Sequence, residues 1–280
     1  EYSGEFNGQP AVLNLQKPID FVNYPVKRFE NLPDVDLKLD YDFNFISVAQ
    51  WGPRKNLLNT IHWFIDEFHD DEVGLVLKTN LMKNCILDRQ ALFGKVKEEL
   101  ANKYPDRTCK IYLLHGDMSE EEIHSLYLHP KIKAGLFLPH GEGFGLPIFE
   151  AAYSGLPIVA TGWSGHLDFL VDEERTEHFY NVAFDINNIP NEVIWEDVLI
   201  KEAKWAYPRD ASAKEKMREC YDDIMSGNKK NTCDYALQLR DRFSANNMYS
   251  KFADLVLESA PETTVVNEMD EIEKLFSEAL

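Results

Sequence analysis

Apolar residues in the first two thirds of the chain fall into two alternating patterns. Short, nearly continuous runs occur at Phe43–Ala49, Val73–Leu77, Ile111–Leu114, Ala134–Leu138, Pro157–Ala160 and Tyr180–Phe184. Runs of this length read as strands buried on both faces. Between them lie longer stretches whose apolar positions recur every three or four residues. Leu57, Ile61, Ile65 and Phe68 predict a helix from about Lys55, and Leu92, Val96 and Leu100 predict one over Arg89–Tyr104. Ser119 followed three residues later by Glu122 predicts a capping box opening a helix to Leu128, and a further helix is expected over Leu146–Tyr153. Strands alternating with helices indicate βαβ units, hence an α/β fold with a doubly wound parallel sheet covered on both faces.

The flanks read differently. Residues 1–42 lack sustained periodicity and carry turn formers at Gly8–Pro10, Asn23–Pro25 and Asn31–Pro33, so they read as a connecting arm or the tail of a preceding domain. From Trp195 onward the pattern is polar and helical, with no convincing strand. Ala211–Met225 and Tyr235–Phe243 read as surface helices and Val265–Leu280 as a terminal helix. The expected organisation is an arm over 1–42, a sheet domain over 43–190 and a helical extension over 191–280.

Composition narrows the function classes. The chain has 280 residues, 44% of them hydrophobic, enough for one large core or two modest ones. No stretch approaches the ~18 apolar residues of a membrane helix. Glu1 opens the chain with no charged-then-apolar leader, so the natural start, and any targeting signal on it, is expected upstream. Four cysteines, Cys85, Cys109, Cys220 and Cys233, lack metal or redox spacing and read as reduced thiols of a cytoplasmic protein. A net charge of −19 argues against nucleic acid as a partner. Any anionic ligand must then be held by local cations and helix N-termini.

Ligands of a doubly wound sheet sit beyond the carboxyl ends of its strands. The richest strand exit is the fourth, Pro139-His140-Gly141-Glu142-Gly143-Phe144-Gly145-Leu146-Pro147-Ile148-Phe149-Glu150. Its three glycines allow a bound group to approach the backbone, and Pro147 sits where a helix would begin with its N–H groups and dipole facing that group. Glu142 and Glu150 can project toward one crevice from different heights, and carboxylates suit the vicinal hydroxyls of a ribose or hexose. A dinucleotide fingerprint fails here, because Gly141 and Gly143 fit but Leu146 stands in the sixth position, and the loop follows the wrong strand. Binding of NAD is disfavoured.

Glu142-Gly143-Phe144-Gly145-Leu146-Pro147 with Glu150 resembles the E-x7-E motif of glycosyltransferase family 4, and Ala151–Thr161 is similar to the helix–Gly–strand that follows it there. The resemblance spans roughly Phe43 to Leu170. It implies the Rossmann-like C-terminal, donor-binding domain of a GT-B enzyme, transferring a sugar from a nucleotide diphosphate with retention. It further implies that Glu142 contacts the sugar near the reacting centre and Glu150 the ribose, while the backbone of Gly143, Phe144, Gly145 and Leu146 meets sugar and phosphates. In the family's G-R-x-x-x-x-K-G stretch, Lys55 fits the lysine and Gln50 stands in place of the arginine, leaving Arg54 or Lys78 to compensate. His140 could touch the sugar or satisfy a backbone carbonyl. His115 and His166 read as structural, and Trp195 and Trp205 as core. Metal and cofactor are expected to be absent, with an acceptor (carbohydrate, lipid or protein) left open. The arm at Asn23–Val26 is similar to the family's interdomain segment, which favours a fragment lacking its N-terminal acceptor domain. A non-catalytic nucleotide- or sugar-binding module, a GT-B epimerase and a dehydrogenase are the rival readings.

Overall fold

A computed structural model describes residues 2–6, 9–13, 19–195, 198–230 and 233–259. The chain divides into two compact units, Arg28–Leu239 and a smaller one formed by Glu1–Lys27 with Arg240–Leu280. The smaller unit contains an antiparallel pair, β1 (Tyr2–Phe6) and β2 (Gln9–Leu13), in which Tyr2 faces Leu13 and Phe6 faces Gln9. This hairpin falls where the sequence pattern gave only an arm. Elsewhere in that unit the Val26 N–H donates to the Phe243 carbonyl at 2.7 Å. The expected helix over Val265–Leu280 lies outside the described residues.

The larger unit is built on β3 (Phe43–Val48), β4 (Val73–Lys78), β5 (Lys110–Leu114), β6 (Ile132–Phe137), β7 (Ile158–Thr161) and β8 (Tyr180–Val182). They form one sheet in the order β5-β4-β3-β6-β7-β8, every pair parallel. The order reverses between β3 and β6, which opens a crevice at their carboxyl ends. α1 (Leu57–Phe68), α2 (Ile86–Lys103), α3 (Glu120–Leu128), α4 (Leu146–Tyr153) and the one-turn α5 (Leu167–Leu170) connect the strands. Phe45, Leu75, Ala134 and Leu136 are fully buried in the sheet, and Ile61, Phe64, Ile65 and Phe68 give α1 its buried face. The predicted capping box is present, Ser119 accepting from the Glu122 N–H and Glu122 accepting from that of Ser119. Residues after Arg28 are strapped to this unit, as the Asp40 N–H donates to the Tyr112 hydroxyl at 3.0 Å and Ser125 Oγ to the Pro33 carbonyl at 2.7 Å.

Two features differ from the sequence expectation after residue 190. β9 (Phe184–Asn188) pairs antiparallel with β10 (Lys204–Pro208), a strand that the polar pattern concealed. α6 (Asp210–Ser226) is a core helix. Ala213, Met217 and Cys220 are fully buried with the sheet and α1, and Arg218 binds Glu67 at 2.6 Å and Asp71 at 2.7 Å. The compact unit therefore continues to Leu239. α7 (Cys233–Arg242) buries Tyr235, Ala236 and Leu239, and α8 (Ala245–Ser259) follows it. Among the described residues no helix is long and apolar enough to cross a membrane.

Candidate functional site

The crevice between the β3 and β6 exits is lined by Ser47, Ala49, Lys55, Leu138, Glu142 and Pro147. From β3 the chain runs through a 3-10 turn over Pro53–Lys55 into α1, with Asn56 in the left-handed region at the junction (φ 56°). Asn56 is buried, and its Nδ2 donates to the Leu138 carbonyl at 3.0 Å. The His140 N–H donates to the Arg54 carbonyl at 2.8 Å. These two bonds stitch the first strand exit to the fourth and bring their polar residues together.

Glu142 is the focus of that meeting. Lys55 Nζ donates to its Oε1 at 2.5 Å, and Arg54 Nη1 to its Oε2 at 3.0 Å and to the Gly141 carbonyl. The Glu142 side chain is only 10% exposed, so water cannot replace these partners. Its main chain is gripped from the other side. Ser164 Oγ accepts from the Glu142 N–H at 2.8 Å, and the Gly165 N–H donates to the Glu142 carbonyl at 3.2 Å.

Beyond Glu142 the loop enters α4. Gly145 takes φ +90° as the residue before the helix, Pro147 lies in the first turn, and no side chain caps it. Backbone N–H groups at such an end suit an anion. The Phe144 ring packs against Phe149 and Phe169 at about 5 Å, which anchors the loop. Gly143 and Leu146 are exposed. Glu150 is half-buried on α4. Burial, and next the charge of Glu150, push the Tyr127 phenol well above its usual value, so Tyr127 of α3 belongs to Glu150's surroundings. Nothing in the spacing of Tyr127 marked it.

The remaining candidates separate. Gln50 is exposed and donates to the Leu81 carbonyl at 3.1 Å. Lys78, at the β4 exit, donates to the Gly116 carbonyl at 2.5 Å, and burial lowers its pKa. Of the two compensating cations it is Arg54 that adjoins Glu142. His140 is buried, with Nδ1 on the Ala206 carbonyl at 2.8 Å and its ring stacked on Trp205. Of its two readings this contact matches the backbone one. Trp205 is a core residue, whereas Trp195 is exposed. His115 pairs with Asp88 at 2.8 Å. Burial alone would raise Asp88, but the N–H groups of Lys83 and Leu81 and the His115 ring outweigh it and hold the carboxyl far below its usual range. His166 is fully buried, its Nε2 on the Thr161 carbonyl at 2.6 Å. Among the described residues no group of three or more His, Cys, Asp or Glu side chains converges as metal ligands.

No family model and no curated protein matches the sequence. Solved structures do match the fold. Sucrose-phosphate synthase from Thermosynechococcus elongatus is 13% identical with a TM-score of 0.52, over 79% of this chain and 46% of that one. A UDP-forming α,α-trehalose-phosphate synthase from Burkholderia xenovorans is 15% identical with a TM-score of 0.52, over 79% and 44%. The E. coli trehalose-6-phosphate structure bound with UDP-2-fluoro glucose is 12% identical with a TM-score of 0.51, over 79% and 45%. This chain spans under half the length of each of the three. The parallel sheet of Arg28–Leu239, with its reversal between β3 and β6, has the Rossmann-like α/β fold of the C-terminal domains of GT-B glycosyltransferases.

Proposed function

We propose that this chain supplies the donor site of a retaining glycosyltransferase of the family 4 type, moving a hexosyl group from a nucleotide diphosphate to an acceptor. The observation that carries the reading is the convergence of Lys55, Arg54 and Glu142 with the start of α4 at the point where the strand order reverses. That is where doubly wound sheets take nucleotides. The bound UDP-2-fluoro glucose of the E. coli neighbour supports a sugar nucleotide as the ligand class.

In this reading the α4 N-terminus, Lys55 and Arg54 hold the diphosphate without a metal ion. As the bond between the anomeric carbon and the phosphate oxygen breaks, charge builds on the diphosphate. Lys55 and the helix terminus then bind it more strongly than they bind the intact donor. Glu142 orients the hexose and stabilises its cationic character, and the backbone of Gly143–Leu146 contacts the sugar. Glu150 accepts hydrogen bonds from the ribose hydroxyls.

The test is thermal unfolding of the chain with UDP, GDP, ADP, their sugar conjugates and NAD, with Glu150→Gln alongside. A ligand at a hundred times its Kd stabilises the native state by about 2.7 kcal/mol. The expected result is a shift with one nucleotide family, diminished in Glu150→Gln. A shift with NAD alone, or none with any nucleotide, overturns the reading.

A further inference from the structure

Glu142 is held at its main chain by two consecutive residues that lie outside the glycine loop. Ser164 and Gly165 belong to the segment leaving β7, 22 residues further along the chain at Ser164. The Ser164 hydroxyl accepts from the Glu142 N–H at 2.8 Å, and the Gly165 N–H donates to the Glu142 carbonyl. Both backbone polar groups of that one residue are thereby occupied from the same side. Ser164 has a φ of +83°, in the left-handed region that a side-chain-bearing residue enters at a cost. Gly165 allows the closest approach, since a Cβ there would sit 1.8 Å from the Gly143 carbonyl oxygen. Strain at one residue and the absence of a side chain at the next serve a single contact, with the loop that carries Glu142.

We infer that Ser164 is a positioning residue for the donor sugar, acting through the main chain of Glu142. The inference rests on the donor-site reading. Lys55 and Arg54 hold the far end of Glu142 at the carboxylate, while Ser164 and Gly165 hold its backbone, so the side chain is fixed at both ends. In the donor-site reading the ribose contact comes from Glu150 and the diphosphate contacts from Lys55, Arg54 and the α4 terminus, and the Ser164 hydroxyl bonds none of these, only the Glu142 main chain. Loss of that hydroxyl therefore weakens recognition of the hexose and spares the nucleotide.

The experiment is calorimetric titration of wild type, Ser164→Ala, Ser164→Gly and Ser164→Asn with UDP and UDP-glucose, GDP and GDP-mannose, and ADP and ADP-glucose. In the pair that wild type binds, Ser164→Ala and Ser164→Gly are expected to lose roughly five- to tenfold in affinity for the sugar nucleotide and less than about twofold for the parent diphosphate. Glycine relieves the backbone strain and alanine does not, so equal losses in both assign the effect to the hydroxyl. Asparagine tolerates the left-handed region and carries an acceptor oxygen, so Ser164→Asn restores sugar affinity. Equal weakening of sugar nucleotide and diphosphate, or wild-type sugar affinity in Ser164→Gly, overturns the inference while leaving the donor site standing. A wild type that binds the diphosphate with no gain from the sugar also overturns the inference alone. Binding of none of these ligands overturns both.

Discussion

Glu142 carries a negative charge into the place proposed for a diphosphate, where it pairs with both Lys55 and Arg54. A bound donor must share or displace those contacts. Lys55 can do both, because an ammonium has three donors, whereas the Arg54 fork turns one edge toward Glu142 and Gly141. Neutralising Glu142 should therefore have opposite effects on binding and on chemistry. Glu142→Gln is expected to bind the nucleoside diphosphate as well as wild type or a few-fold better, yet to transfer or hydrolyse sugar at least ~100-fold more slowly. Lys55→Met should weaken the diphosphate by roughly tenfold or more. Titration of the free diphosphate beside a turnover assay separates the two, and a Glu142→Gln protein that loses diphosphate affinity contradicts the arrangement. Glu142 and Lys55 were legible as candidates in the sequence, one between glycines and the other in a first helical turn. Their contact was not, because it joins positions 87 residues apart. Ser164 was invisible for another reason, since nothing about a serine announces a positive φ.

At the scale of elements, short apolar runs were enough to locate all six parallel strands, because the central strands, buried on both faces, need no alternation, and the half-buried edge strand β5 carries a short apolar run as well. The helix Leu146–Tyr153 was legible from its glycine and proline, and the α3 start from its capping box. β10 was missed because its apolar run, Trp205–Tyr207, is only three residues long, preceded by an exposed lysine and ended by proline. α6 was misjudged as a surface helix. Its sequence is rich in charged residues, and its buried stripe is only Ala213, Met217 and Cys220. That narrow stripe predicts an uneven response along one helix. Met217→Ala should destabilise the larger unit by about 2–4 kcal/mol, as a buried methionine truncation does. Met225→Ala, at an exposed position, should stay within about 0.5 kcal/mol. Urea denaturation of the two variants measures the difference, and equal effects would contradict the placement of α6 in the core.

For the molecule as a whole, acid titration divides into two ranges. Burial lowers the pKa of His140, His166 and His129 below the ordinary 6.5, so the fold keeps them neutral where an unfolded chain would protonate them. The stability they contribute is complete above 6.5 and is lost as pH falls below it toward their folded values. Asp88 behaves in the opposite sense. Its folded pKa lies below 3.8, so its contribution is complete above 3.8 and is lost only in stronger acid. The melting temperature should thus decline between about pH 7 and pH 5, each ~1 kcal/mol lost lowering it by about 2–4 °C, and His166→Gln should flatten the decline. An unchanged slope in that variant would show that His166 is not held neutral.

The adjacency of β3 and β6 also dictates when the site can come into being. β3 meets β4 after one short crossover, but it meets β6 only after the intervening strands and helices have been made, and the Arg54–Glu142 pair spans 88 residues. Closing that long loop costs more chain entropy than pairing neighbouring strands. A collapsed species with only β3, β4 and β5 assembled would show strand and helix content and bind no ligand. With the donor site as proposed, nucleotide affinity is acquired only once β3 and β6 have paired, and a refolding chain followed by nucleotide binding stays silent until the two halves of the sheet have joined.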